Sequence, residues 1–359
     1  MRISFVMLGL KDYSSGGYYF NFRMAEALRQ AGHEVDVVHF TTIPEKIRGL
    51  RIRTSFHLLR RVLKYKPDLI VISKSYSFMV PLRLLISVRK YPVLYMVHHL
   101  VWHDRSGDVS SARKSIVRWF LSCGEKIWVN SLSTSNDVVS LGIPEERLCI
   151  IQPGFDRFEL DPDSRPKEPV CILSVGAICP RKDQLTLLKA CAGLGNMDFH
   201  LLILGDETVD PGYAEAVRSE AERDSLRGKV TFMSNISQND LAKLYNKSHV
   251  LANMSHWEGF GSAVVEALWA GLPVVAANAG AVPELITHGV NGYLIPPGNE
   301  KECAKYLREL IDSTILREKM STAARNAAEK LFTWEDNERE FVKLAEETAG
   351  CRIRMELSV

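Results

Sequence analysis

Short apolar runs alternate with helix-length stretches along most of this chain, and that rhythm limits its fold more than any other feature. Residues 3–10, 35–40, 69–73 and 93–97 are apolar runs of strand length. Gly16 and Gly17 open a helix that reaches about Gln30, with Phe20, Met24, Ala27 and Leu28 at helical spacing. Gly32-His33 closes it, since glycine suits the left-handed position after a helix. Further helices are expected near 46–66 and 76–90. Short apolar strands separated by helices form a parallel sheet covered on both faces.

The rhythm stops at residues 161–169, a stretch rich in proline and charge. Proline excludes a helix interior or a central strand there, so a linker is expected. The rhythm then resumes. Strands are expected at 170–175, 199–204, 230–233, 249–253 and 274–276, with helices at 183–191, 238–246 and 262–270. The expected fold is α/β, with two doubly wound Rossmann-like domains facing a central cleft. Their bounds are 1–162 and 163–332, followed by a segment 333–359 whose helix starts at Trp334 and crosses back to the first domain. Ligands of such sheets bind at the carboxyl ends of the strands.

No apolar run approaches the roughly 20 residues that span a bilayer. The first apolar run is followed at once by Lys11-Asp12 and reads as a strand rather than a signal peptide, so a cytoplasmic location is expected. The seven cysteines are scattered without a C-x-x-C pair, which argues against a disulfide framework or a zinc knot. The sequons at Asn235, Asn246 and Asn253 then carry no weight. The net charge of +2 divides unevenly: residues 1–166 hold 24 Lys/Arg and 16 Asp/Glu, the remainder 21 and 27. Residues 46–66 hold eight Lys/Arg and no acid, interleaved with Ile47, Leu50, Phe56, Leu58, Leu59, Val62 and Leu63. Two readings stand for them: a helix in peripheral contact with an anionic membrane, or a solvated helix covering the sheet. No nucleic acid is expected as a partner.

The segment Ser255-His-Trp-Glu-Gly-Phe-Gly-Ser-Ala-Val-Val-Glu266 carries the richest chemistry. A strand precedes it and an amphipathic helix follows. Glu258 stands before the turn Gly259-Phe260-Gly261, and Glu266 lies about one turn inside the helix. Free amides at that helix start, with glycines allowing close approach, suit a phosphate or a polar sugar. Carboxylates repel phosphate and instead accept from hydroxyls. Acids flanking a glycine turn thus imply a ligand with polyol and phosphate parts, although a capped helix would also place carboxylates there.

Glu258 and Glu266 have an E-x7-E spacing, continued by EALWAGLPVV from Glu266, GAVPE from Gly280 and GVNGYL from Gly289. This ordered run resembles the donor domain of the family 4 glycosyltransferases, which have the GT-B fold. The resemblance covers nearly the whole chain and is densest from about 170 to 300. It implies that Glu258 contacts the transferred sugar and that Glu266 holds the ribose of a nucleotide-diphosphate sugar, a co-substrate rather than a cofactor. Arg181 and Lys182 follow the strand 170–175 and fit the family's phosphate-binding loop. The family often has arginine directly after the glycine, where this chain has Ala177. Gly16 and Gly17 face the donor phosphates in the family; on residues alone a plain βα turn competes equally. Ile236 falls in a loop expected near the base.

Three histidines and an aspartate crowd residues 98–104. Alternation along a strand turns His98 and His99 apart, so no metal is expected. The resemblance makes His98 the active-site histidine, with His99 the alternative. Asp161-Pro-Asp163 mimics a metal triad but lies in the proline-rich stretch and is rejected. The expected activity is metal-independent, retaining glycosyl transfer to a glycan, lipid-linked or small-molecule acceptor, as in cell-envelope polysaccharide synthesis. The competing readings are a nucleotide-sugar epimerase, a phosphorylase and a non-catalytic sugar-binding homologue.

Overall fold

A computed structural model of the chain describes residues 1–8, 16–40, 60–62, 64–73, 90–104, 110–161 and 164–356. The chain divides into two compact units. One comprises Met1–Gly154 and Phe332–Val359, the other Phe155–Leu331.

The first unit holds strands β1 (Arg2–Leu8), β2 (Glu34–Phe40), β3 (Leu69–Ser73), β4 (Val93–Val97), β5 (Lys126–Val129) and β6 (Leu148–Ile150). They form one sheet in the order β2-β1-β3-β4-β5-β6, and each adjacent pair is parallel. β4 is buried at every position, as a strand covered on both faces must be. Helix α1 (Gly16–Gln30) covers one side, burying Phe20, Met24 and Leu28. Helices α2 (Ser111–Leu121) and α3 (Leu132–Ser140) bury Val117, Phe120, Leu121 and Val138 in a second cluster with Tyr95 and Ile127.

The second unit holds strands β7 (Val170–Val175), β8 (Phe199–Leu204), β9 (Val230–Met233), β10 (Val250–Asn253), β11 (Val274–Ala277) and β12 (Gly292–Ile295). Their order is β12-β11-β10-β7-β8-β9, again parallel throughout. Strand order therefore reverses between β7 and β10. Helices α4 (Gln184–Ala192), α5 (Pro211–Ala221), α6 (Gln238–Lys247), α7 (Ser262–Trp269), α8 (Val282–Leu285), α9 (Glu300–Asp312) and α10 (Thr314–Ala328) surround it. Asp183, Asp210, Ser237, Asn299 and Ser313 cap α4, α5, α6, α9 and α10 with side-chain oxygens.

The last helix, α11 (Trp334–Glu356), belongs to the first unit. Phe341, Leu344 and Ala345 are buried in one cluster with Ile3, Phe5, Met24 and Trp128. Asn337 Nδ2 donates to the Gln152 carbonyl at 2.7 Å. Gly154 lies so close to this helix start that a Cβ there would sit 2.5 Å from Trp334 Cα.

The units divide at Gly154/Phe155, earlier than the 162/163 division expected from the proline-rich stretch. The reason is packing. Phe155 is buried among Val264, Leu268 and Val282, and Phe158 stacks on Tyr245. Residues beyond 163 are not a free linker either: Arg165 donates to the Asn246 and Ala270 carbonyls. Strands β5, β6 and β12 and helices α2, α3, α5 and α8 were not anticipated from the sequence pattern. Most of the basic stretch 46–66 and all of the expected helix 76–90 lie outside the described residues. The described end of the basic stretch packs on the sheet, with Val62 buried and Arg61 paired to Asp36 at 2.6 Å. Among the described residues, no helix is long and apolar enough to cross a membrane.

Phe341→Ala removes a fully buried ring from the cluster joining α11 to the first sheet. The expected loss is roughly 3–5 kcal/mol, read as a lower urea midpoint. An unchanged midpoint would show that α11 does not support this unit.

Candidate active site

The strand-order reversal between β7 and β10 is where an open α/β sheet leaves a crevice for ligands. Both loops at that point carry charge. After β7 the chain passes Gly176 and enters a short turn, Pro180–Lys182, whose last residue is Lys182. After β10 it passes Asn253 and Ser255 to Glu258. Sheet register thus delivers one cation and one carboxylate to the same place.

Lys182 Nζ donates to Glu258 Oε1 at 2.5 Å. Ser255 Oγ donates to the same oxygen at 2.7 Å and Asn253 Nδ2 at 3.3 Å. Arg181 Nη1 stands 3.9 Å from Glu258 Oε2 and donates to the Trp257 carbonyl at 2.9 Å. The His256 amide donates to the Arg181 carbonyl at 2.8 Å, locking the two loops together. Glu258 is only 7% exposed. Burial alone would push its carboxyl up; Lys182, Arg181 and the Ser255 hydroxyl outweigh this and hold it down at about 2.

Two glycines make the approach feasible. The Ala281 amide donates to the Glu258 carbonyl at 2.8 Å. A Cβ on Gly280 would lie 2.1 Å from that carbonyl oxygen, so only glycine fits. The Lys182 stem lies across Gly176, where a Cβ would come within 2.9 Å of its Cε. Asp183, left-handed at φ 49, then turns the chain into α4 and caps it through Thr186.

Glu266 lies on α7 with different partners. Tyr245 Oη donates to its Oε2 at 2.7 Å. Its surroundings push the carboxyl up to about 7: burial is the main cause, Asp156 adds repulsion, and the Tyr245 hydrogen bond offsets part of it. Burial and the Glu266 charge raise the Tyr245 hydroxyl far above its ordinary value. Between the two glutamates, Gly261 adopts φ 92 at the start of α7 while Phe260 buries its ring beside Val264 and Leu285. Gly259 precedes that ring in the same turn.

The other expected residues lie elsewhere. Ile236 is half-buried in the loop between β9 and α6, beside Asn235 at φ 52. Gly16 and Gly17 begin α1 in the first unit. His98, also in the first unit, is buried after β4, its Nε2 3.0 Å from Asn21 Oδ1 and its ring edge-on to Phe20 and Trp128. His99 is the more open of the pair. His103 turns to Asp137, Nε2 to Oδ2 2.7 Å. Among the described residues, no three His, Cys, Asp or Glu side chains are grouped to hold a metal.

Sequence reasoning missed Asn253, Ser255, Tyr245 and Asp156. The first two carried a signal, being polar residues at a strand end just before Glu258. Tyr245 and Asp156 had none, because their meeting with Glu266 is made by helix packing.

A model described as "Glycosyl transferases group 1" matches residues 156–327, and one described as "Glycosyltransferase Family 4" matches residues 15–157. The chain belongs to the family 4 glycosyltransferases. Within that family it is 28% identical over 262 residues to an MMP alpha-(1->4)-mannosyltransferase of Mycolicibacterium hassiacum, covering 68% of this chain and 62% of that protein. It is 25% identical over 348 residues to the sulfoquinovosyl transferase SQD2 of Arabidopsis thaliana, covering 86% and 66%. The chain thus spans less than two thirds of either relative's own length. Among solved structures, a sucrose-phosphate synthase of Thermosynechococcus elongatus superposes with a TM-score of 0.84 at 19% identity, covering 96% of this chain and 98% of that one. Anabaena Alr3699/HepE, in complex with UDP and glucose, gives 0.80 at 20% identity, covering 97% and 100%. These likenesses establish the GT-B fold.

The two glutamates of this family 4 chain titrate in opposite senses. Glu258, held low, contributes stability above its unfolded value of about 4.3 and loses it as pH falls toward about 2, a change on the order of 3 kcal/mol. Glu266, held high, contributes stability below about pH 4.3 and loses it as pH rises through about 7. Chemical denaturation across pH is therefore expected to show a shallower acid limb in Glu258→Gln. In Glu266→Gln the decline between about pH 4.3 and 7 should flatten. Identical profiles for wild type and both variants would contradict the assigned environments.

Proposed function

We propose that the protein transfers a sugar from a nucleoside-diphosphate donor to a glycan, lipid-linked or small-molecule acceptor, with retention of anomeric configuration and without a bound metal. The observation that carries this reading is the buried Glu258 carboxylate joined to Lys182 at the reversal of strand order in the second unit. Family membership and the UDP and glucose named for the Anabaena relative support it.

The donor leaves as a nucleoside diphosphate, and its negative charge grows as the bond from anomeric carbon to phosphate oxygen breaks. Lys182 and Arg181 meet that charge in a partly dry site, where fixed cations are most effective. Ionised Glu258 accepts from hydroxyls of the moving sugar. Glu266 accepts from the ribose diol through the oxygen that Tyr245 leaves open. The acceptor oxygen forms the new bond to carbon, and its proton passes to the departing phosphate oxygen.

Glu258 is poorly suited to act as a nucleophile. One of its oxygens already receives three donors, and the other faces Arg181. A front-face route therefore suits retention better than the two-carboxylate scheme of many glycosidases. Peripheral membrane contact belongs to the same proposal for a lipid-linked acceptor, through the basic stretch 46–66.

A thermal-shift screen of nucleotide sugars, followed by turnover with lipid-linked and soluble acceptors, tests the reading. Glu258→Gln is expected to lower turnover by about a hundredfold or more while its circular dichroism stays that of the wild type. Full activity in that variant would refute the role of Glu258. Donor consumed without an acceptor, and its sugar inverted at one carbon, would establish an epimerase instead.

A further inference from the structure

A second concentration of charge lies in the same unit, away from Glu258 and Lys182. Arg317, Ser321 and Arg325 recur every four residues along α10 and so share one face. Arg165, ahead of β7, joins them: burial chiefly, with repulsion from Arg325 and Arg317, pushes its guanidinium down to about 10. Among the described residues, no carboxylate forms an ion pair with any of the three arginines. Glu318 influences Arg317 only at a distance.

Backbone carbonyls meet part of this charge. Arg165 donates to Asn246 O in the last turn of α6 and to Ala270 O just past α7. Arg317 donates to Leu310 O and Ile311 O in the last turn of α9 and to Thr314 Oγ1. Each helix end carries about half a negative charge. Three ends against three guanidiniums leave an excess of roughly one and a half positive charges. His249, buried beside them, does not relieve it. Its Nδ1 accepts from the Cys171 amide and its Nε2 faces the Pro166 carbonyl, so the ring is neutral. Arg325 completes the picture. Its Nε is buried without a partner, and its stem lies over Gly271, where a Cβ would sit 2.6 Å from both Arg325 Nε and Ser321 Oγ.

We infer that Arg165, Arg317, Arg325 and Ser321 form a binding site for a small phosphate-bearing anion, separate from the place proposed for the donor. Guanidinium forks match phosphate oxygens in pairs, and the serine hydroxyl adds a donor. One phosphate group supplies the missing negative charge. The site does not depend on glycosyl transfer.

Calorimetric titration of inorganic phosphate and of glucose 6-phosphate into the full chain tests it. The titrations use Lys182→Met as background, which removes the grip proposed for the donor diphosphate, and sodium chloride at matched ionic strength as control. One saturable site is expected, weakened at least about tenfold by Arg325→Gln. Arg165→Gln gives a second reading, with circular dichroism checking that both variants fold. Tighter binding of the ester assigns a phosphorylated metabolite, and tighter binding of inorganic phosphate assigns the free ion; either supports the site. No saturable heat, or unchanged affinity in a folded Arg325→Gln variant, overturns it.

Discussion

The second unit turns on one buried charge pair. Glu258 and Lys182 come from loops after different strands, yet they meet at 2.5 Å where solvent hardly reaches. Burial alone would push the Glu258 carboxyl up, and the neighbouring cations keep it ionised. Together Glu258 and Lys182 fix both loops. The surrounding structure serves that meeting. Parallel register aligns β7 with β10, Gly280 admits the backbone of Glu258, and Gly176 leaves room for the Lys182 stem. Asn253 and Ser255 donate to the same Glu258 oxygen as Lys182.

On the proposed function, the same pair would let the site prefer a sugar diphosphate over either part alone. Phosphate would seek Lys182 and Arg181, while sugar hydroxyls would seek Glu258. A ligand bearing both keeps every charge partnered when it enters. Glu266 differs because it has no cation beside it. Burial, with repulsion from Asp156, leaves its carboxyl easily protonated, and the Tyr245 hydrogen bond offsets part of that. Two acids close in sequence thus have distinct electrostatics, set by residues far from both.

Much of this was legible in the amino-acid sequence. The strands β3, β4, β7, β8 and β9 stand where uniform apolar runs placed them. The glycine turn at 259–261 and the acids around it stood out as the candidate site without coordinates. What stayed hidden had physical causes. β5 and β6 are only four and three residues long, too short for a periodic pattern to show. The division between units escaped notice because Phe155 and Phe158 look like loop residues until their rings are seen packed. Tyr245 and Arg325 act through helix faces that meet only in three dimensions. His98 was chosen by resemblance, and its burial against Asn21, Phe20 and Trp128 rests on contacts from α1 and β5 that no local pattern records.

The competition between carboxylate and phosphate for one lysine is open to direct measurement. Calorimetric titration of the nucleoside diphosphate selected by the donor screen, without its sugar, would be run on wild type, Lys182→Met and Glu258→Gln. If the pair governs the site, the lysine variant binds the diphosphate more weakly than wild type. The glutamine variant binds it more tightly, because Lys182 is released from its carboxylate. Equal affinity in all three proteins, or weaker binding in Glu258→Gln with its fold intact, would contradict it.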